Sequence, residues 1–103
     1  MSEKVVIIGG GLGGLTTGLI LQRNGYDVTV LDMGVQIGGC LQCFTRKGAK
    51  FETGMHFIGS AAPGQTMDRL FRYFGLSDEV KLSSLDNEAY NIVDLDGDKF
   101  RFP

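Results

Sequence analysis

Val5-Val6-Ile7-Ile8-Gly9-Gly10-Gly11-Leu12-Gly13-Gly14-Leu15 is the stretch on which the reading of the fold depends. Its branched aliphatics predict a strand over Lys4 to Ile8, apolar enough to be covered on both faces as in a parallel sheet. The glycines that follow make a turn with almost no side chains. A helix comes next, from about Gly13 to Asn24, with Leu12, Leu15 and Leu19 on an apolar face and Gln22 and Arg23 at a polar end. Gly25 stands where a helix C-terminal glycine belongs. Val28-Thr29-Val30-Leu31 then reads as a second strand, ending in Asp32. Together these make one βαβ unit, whose crossover is expected to be right-handed.

The glycines match the pattern Gly-x-Gly-x-x-Gly at Gly9, Gly11 and Gly14. Gly9 permits a tight turn out of the strand. Gly11 lets the backbone approach a pyrophosphate, where a Cβ would collide with it, and Gly14 allows the helix to pack closely. Amides of Leu12 and Gly13 are expected to point at phosphate oxygens, with the helix dipole adding about 0.3–1 kcal/mol. The pattern alone is weak. Here it follows a strand, opens a helix and has an acid, Asp32, eighteen residues beyond its last glycine. Asp32, with Met33 beside it, is placed to bind an adenosine ribose through its hydroxyls, and its charge disfavours the 2′-phosphate of NADP. FAD and NAD present the same ribose, so the residues do not choose between them.

The chain's 103 residues suffice for one small domain and not two. A net charge of −2, without a run of Lys or Arg, gives no footprint for nucleic acid. The sixteen glycines, about twice the usual ~7%, fall at turns between apolar runs and are not low complexity. Residues 5–21 carry no charge, but their glycines and the closing Arg23 leave the stretch short of the ~20 apolar residues a membrane span needs. Cys40 and Cys43 are too close in sequence to staple a fold, so the chain reads as cytoplasmic and reduced.

Beyond the βαβ unit, residues 33–50 read as a loop holding the doublet Gly38-Gly39, and Phe51 to Thr53 as a short strand entering the loop Gly54–Gly59. Met67, Leu70, Phe71 and Phe74 share one face of a helix over Thr66 to Phe74, with Thr66 as its cap and Gly75 its end. Ala89–Val93 and Lys99–Phe102 flank Asp96-Gly97, the signal of a β-hairpin. This gives a nucleotide-binding unit over 1–35, a doublet loop over 36–65, and a helix and hairpin over 66–103 leading to a missing substrate domain. The sheet is left incomplete, and the chain reads as the opening portion of a longer protein. An unfinished sheet leaves an edge or apolar face for another copy to cover, so self-association stays open.

Val5–Asp32, Gly38-Gly39 and Phe51-Glu52-Thr53-Gly54-Met55-His56-Phe57-Ile58-Gly59 together resemble the phytoene desaturase and retinol saturase family of flavoproteins. The resemblance covers nearly the whole chain. It implies a Rossmann-like FAD-binding domain of the glutathione-reductase type and FAD as cofactor, with NAD the alternative. It also implies a flavin-dependent oxidoreductase acting on CH–CH bonds of an apolar, carotenoid- or retinoid-like small molecule, which leaves peripheral membrane association open. Gly38 and Gly39 would run beside the cofactor pyrophosphate and ribityl chain, Gly54 would pass close to the flavin, and His56 would lie near the ring edge, although a hydrogen-bonded loop histidine is the favoured reading of that residue. The family's ribose acid is usually Glu, so Asp32 is a shorter version. Amine oxidase-like relatives place Arg directly after the doublet, where this chain has Cys40, so that alternative is disfavoured. A non-catalytic dinucleotide-binding module is the third reading.

Cys40-Leu41-Gln42-Cys43 has redox-dithiol spacing but lies in what reads as a cofactor-lining loop, so ordinary small buried residues are the expectation. Two thiols do not make a four-ligand metal site, and none is expected. Arg46, Lys47 and Lys50 read as a solvated basic loop. No catalytic residue is assigned. The isolated chain is expected to be inactive and to retain FAD weakly or not at all.

Overall fold

The computed structural model describes residues 2–102, in two compact units that meet in sequence between Ile58 and Gly59. In the first, β1 (Lys4–Ile8) and β2 (Asp27–Leu31) run parallel, with Lys4 opposite Asp27 and Ile8 opposite Leu31. Between them lies α1 (Leu12–Arg23). The helix ends as its sequence directs: Gly25 takes φ +88°, its amide donates to Gln22 O at 3.1 Å, and the Tyr26 amide donates to Leu21 O at 3.2 Å. This bond pair satisfies carbonyls that the last turn would otherwise leave open.

One face of the β1–β2 pair packs on α1 through Val5, Ile7, Val28 and Val30. A Cβ built on the buried Gly18 would meet Ile7, Val30 and Val28 side chains at 3.4–3.5 Å. The expectation that β1 is covered on both faces is not met: Val6 and Leu31 are exposed, and Ile8 is 89% exposed. A single helix covers a single face, and the apolar run is therefore half-used within these residues.

The stretch read as a loop over 33–50 contains a 3-10 turn, Gly39–Leu41, and then a hairpin of β3 (Cys43–Arg46) and β4 (Ala49–Glu52). Lys47 (φ +50°) and Gly48 (φ +80°) form its two-residue turn, both residues left-handed as a tight hairpin requires. Phe44 and Phe51, directly opposite, stack with ring centroids 5.2 Å apart. The strand expected from Phe51 is thus the end of β4, and it stops at Glu52.

The second unit holds α2 (Thr66–Phe74) and a hairpin of β5 (Asn91–Leu95) and β6 (Asp98–Phe102), turning at Asp96 (φ +53°) and Gly97 (φ +97°). Ala89, expected at the start of β5, lies before the strand. Among the described residues it is the one apolar side chain, glycines aside, that is fully covered, at 7% exposure. Gly75 ends α2 in the left-handed conformation, as expected. Thr66 does not cap it: Gln65 is the cap residue and makes no side-chain bond in that role. Every sheet has two strands, and among the described residues no helix is long and apolar enough to cross a membrane.

Candidate dinucleotide site

The glycines at the end of β1 divide by what holds each of them. Gly9 leaves the strand at φ +108°, a conformation closed to most side chains, while its amide still donates to Leu31 O at 2.7 Å. At Gly14 a Cβ would overlap the Gly9 carbonyl oxygen and crowd Ile7. Gly11 and Gly13 have no such internal cause. Gly11 has an ordinary φ of −78°, and a Cβ there would meet only Gly39 Cα, at 3.8 Å. A Cβ on Gly13 would meet nothing within 4 Å. The chain's own packing does not demand glycine at these two positions.

Helix α1 begins beside this turn with its first amides bare. Gly11 supplies no side-chain cap, the first turn has no acid, and Leu15 is the first to donate along the helix, to Gly11 O at 3.0 Å. Among the described residues the amides of Gly13 and Gly14 have no acceptor. Leu12, exposed, opens the helix next to a parallel bridge between Gly11 and Gly38. The start of α1 is therefore a patch of positive potential.

Asp32 follows β2 and faces the same turn. Its Oδ2 accepts the Gly10 amide at 2.6 Å and its Oδ1 the Gly34 amide at 2.7 Å. The Gly34 bond first, and the Gly10 bond next, hold its carboxyl below the usual carboxylate range against a small opposing desolvation. It is an anion at neutral pH. Met33, next to it, is fully exposed.

The doublet lies against the turn. The Gly38 amide donates to Gly10 O at 2.7 Å, and a Cβ on Gly39 would stand 3.0 Å from Gly11 Cα. Both doublet residues have positive φ, +121° and +56°. The chain's own geometry thus requires glycine here, apart from any room left for a ligand. Gly54 is held by a local contact as well, since a Cβ there would come to 2.5 Å from Cys40 O. His56 lies exposed on the following bend, and no hydrogen bond joins it to the turn. The structure thus brings Gly9 to Gly14, Asp32, Gly38 and Gly39 together, sets Gly54 beside Cys40, and leaves Met33 and His56 in solvent.

Neither cysteine is buried, contrary to expectation: Cys40 is exposed and Cys43 half-covered, and both are free thiols. Cys40 lies in the 3-10 turn and Cys43 opens a two-stranded hairpin, and neither element has an interior to hide a thiol in. The Cys43 thiol donates to Glu52 Oε2 at 2.9 Å across the β3–β4 pair. That bond, followed by desolvation and the Glu52 charge, pushes the thiol's pKa up, the opposite of an activated dithiol. Among the described residues no group of three His, Cys, Asp or Glu side chains could hold a metal ion.

Sequence reasoning missed the roles of Gly10 and Gly34, whose amides fix Asp32, and those of Gln42 and Thr53 around the doublet. Gly10 carried a signal, as an extra glycine inside the pattern. Thr53 carried none, because its role depends on a chain crossing.

A parallel strand–helix–strand unit with a bare helix start and an acid at the end of its second strand defines the Rossmann class of dinucleotide-binding segments. Residues 7–74 match the NAD(P)-binding Rossmann-like domain family, and the chain belongs to it. It is similar to human all-trans-retinol 13,14-reductase, 43% identical over 60 residues covering 58% of this chain and 10% of that protein. The Macaca fascicularis protein of the same name is 35% identical over 97 residues, 90% of this chain and 15% of its own length. Carotenoid 3,4-desaturase of Haloarcula japonica is 33% identical over 99 residues, 94% of this chain and 19% of that protein. A crystal structure of a Pyrococcus furiosus protein superposes with a TM-score of 0.65 at 28% identity, covering 95% of this chain and 24% of that one. The chain spans about a tenth to a fifth of the length of the curated relatives it matches.

Proposed function

We propose that this chain is the FAD-binding opening of a flavin-dependent oxidoreductase acting on carbon–carbon bonds of an apolar polyene of the carotenoid or retinoid class. The observation that carries the reading is the uncapped, acid-free start of α1 beside the ionised Asp32. The names of the relatives, retinol reductase and carotenoid desaturase, support the substrate class.

The residues present fit a dinucleotide. The space a Cβ would take at Gly11 and Gly13 is open, as a diphosphate needs in order to reach main-chain amides. In this reading the Gly13 and Gly14 amides receive phosphate oxygens, and Asp32 orients the adenosine ribose by accepting from its hydroxyls. Its two amide bonds fix the carboxylate in place, and each oxygen keeps a lone pair for the ribose. Its negative charge repels a 2′-phosphate, so FAD and NAD are favoured over NADP. A bound flavin would supply hydride transfer to or from a substrate carbon.

The 103 residues alone are expected to bind FAD weakly and to show no turnover, since the relatives devote most of their length to parts beyond this segment. Calorimetric titration with FAD, NAD and NADP tests the reading. FAD binding that is abolished by Gly11→Val supports it, whereas preference for NADP, or binding that survives Gly11→Val, contradicts it. The substrate class is tested by assaying retinol, carotenoid and amine turnover in a polypeptide that joins this segment to a substrate domain. Turnover of amines alone would favour the amine oxidase alternative.

A further inference from the structure

Thr53 follows β4 directly and reaches back to the strap that carries the doublet. Its hydroxyl stands 2.7 Å from the Gln42 carbonyl oxygen and 3.1 Å from that of Cys40, so one proton is shared between two acceptors. Its amide donates to the same Gln42 carbonyl at 3.2 Å. The next residue, Gly54, sits so close to Cys40 O that a Cβ would come to 2.5 Å. Upstream, the Leu41 and Gln42 amides donate to Gly38 O and Gly39 O at 3.0 and 3.2 Å, and Gln42 Nε2 donates to Gln36 O at 2.8 Å. The strap then meets the glycine turn through the Gly38–Gly10 bond and the Gly39–Gly11 approach. A continuous path therefore runs from the end of a regular strand to the backbone of the dinucleotide turn.

Such a path matters because the strap and turn are rich in glycine, which loses more conformational freedom on ordering than any other residue. Two glycine-rich segments resting on each other do not fix one another's position. One of them needs an anchor in regular structure, and β4 provides it. We infer that Thr53 is a positioning residue for the dinucleotide site: its hydroxyl pins the Cys40–Gln42 carbonyls, and through them sets Gly38 and Gly39 against Gly10 and Gly11. Gly54 permits the close approach that this needs. The inference rests on the dinucleotide reading above.

The test uses the 15N-labelled 103-residue chain, ADP as the probe, and the variants Thr53→Val, which keeps the shape and removes the hydroxyl, and Thr53→Ser, which restores it. Thr53→Val is expected to weaken ADP binding roughly three- to tenfold, the scale of one lost hydrogen bond. It should also speed hydrogen exchange of the Gly38 amide in the ligand-free chain, and Thr53→Ser should return both towards wild type. A merely structural threonine would lower global stability and leave Gly38 exchange in step with the other protected amides. Wild-type affinity and Gly38 exchange in Thr53→Val overturn the inference, as does weakened binding with Gly38 exchange unmoved. If Thr53→Val does not fold, Thr53→Ala carries the same comparison. If the wild-type chain does not bind ADP at millimolar concentration, the dinucleotide reading falls and takes the role at the site with it. Gly38 exchange then still decides whether Thr53 holds the strap.

Discussion

The two helices end alike and begin differently. Both α1 and α2 close on a left-handed glycine, Gly25 and Gly75, with the same pair of reversed amide bonds. At its start α2 carries its own acid: Asp68, in the first turn, accepts the Gly64 amide just ahead of the helix at 2.7 Å, and the Met67 amide donates to Ser60 O at 2.9 Å. Arg72, one turn on, pairs with Asp68 at 3.0 Å. The first turn of α1 has no acid of its own; the Gly10 amide ahead of it is held instead by Asp32, from the end of β2. Neither helix has a side-chain cap, so the difference is the acid: one in the first turn offsets the positive helix end, and a first turn without one leaves that end to an outside anion. The difference lies in a few residues at each start.

The largest effect is expected where the turn has no slack. Gly14→Ala would drive a methyl into the Gly9 carbonyl, at or beyond the upper end of the ~1–3 kcal/mol of an overpacked site. Urea unfolding should show severe loss of stability. Gly13→Ala, with nothing to strike, should instead stabilise the helix by up to ~1 kcal/mol. Similar responses from the two variants would remove the geometric basis of the site.

Making α1 resemble α2 is the next test. Gly11→Asp gives α1 a capping acid at a position with ordinary φ and open space, so stability should rise by a few tenths of a kcal/mol. ADP affinity should fall at least tenfold, because the new carboxylate occupies the positive end. An unchanged ADP affinity would mean that the anion sits elsewhere. Asp32→Asn should weaken ADP binding more modestly and narrow the preference for ADP over its 2′-phosphorylated counterpart, as read by calorimetry.

The smallest effect belongs to α2. Asp68→Asn should lower thermal stability slightly and leave ADP binding untouched. The sign of the pH dependence follows from the bonds. The Gly64 amide first, and Arg72 after it, hold the Asp68 carboxyl below its usual range, as Gly34 and Gly10 do for Asp32. Each therefore contributes stability that is present above the unfolded pKa of about 3.9 and is lost as pH falls through the lowered folded value. Thermal melts between pH 2 and 6 should show this acid loss, and it should be smaller in Asp68→Asn and in Asp32→Asn.

Much of the fold was legible because particular residues leave little choice. The run Val5–Ile8 before glycines, the αL stops at Gly25 and Gly75, and the Asp96-Gly97 turn each have one cheap conformation, and the structure adopts it. The β3–β4 hairpin was not legible. Its turn places Lys47 at φ +50°, a position that Asn or Asp would have announced and that lysine fills at some cost. The start of α2 misled for a related reason: Thr66 is the expected type of cap, yet Gln65 takes that position without a side-chain bond, and Asp68 binds the Gly64 amide ahead of the helix. At the site, the glycine pattern and Asp32 could be read in sequence. The cause of glycine at 38, 39 and 54 could not, because it lies in contacts between segments distant along the chain.

Whether the bare amides at the start of α1 bind a diphosphate is decided by amide-resolved NMR titration of the chain with ADP. Saturable shifts are expected at Gly13 and Gly14, with Gly10 and Gly34 following as Asp32 engages the ribose, while Gly64 and the start of α2 stay still. Unmoved Gly13 and Gly14 amides at millimolar ADP, or shifts centred on α2, would contradict it.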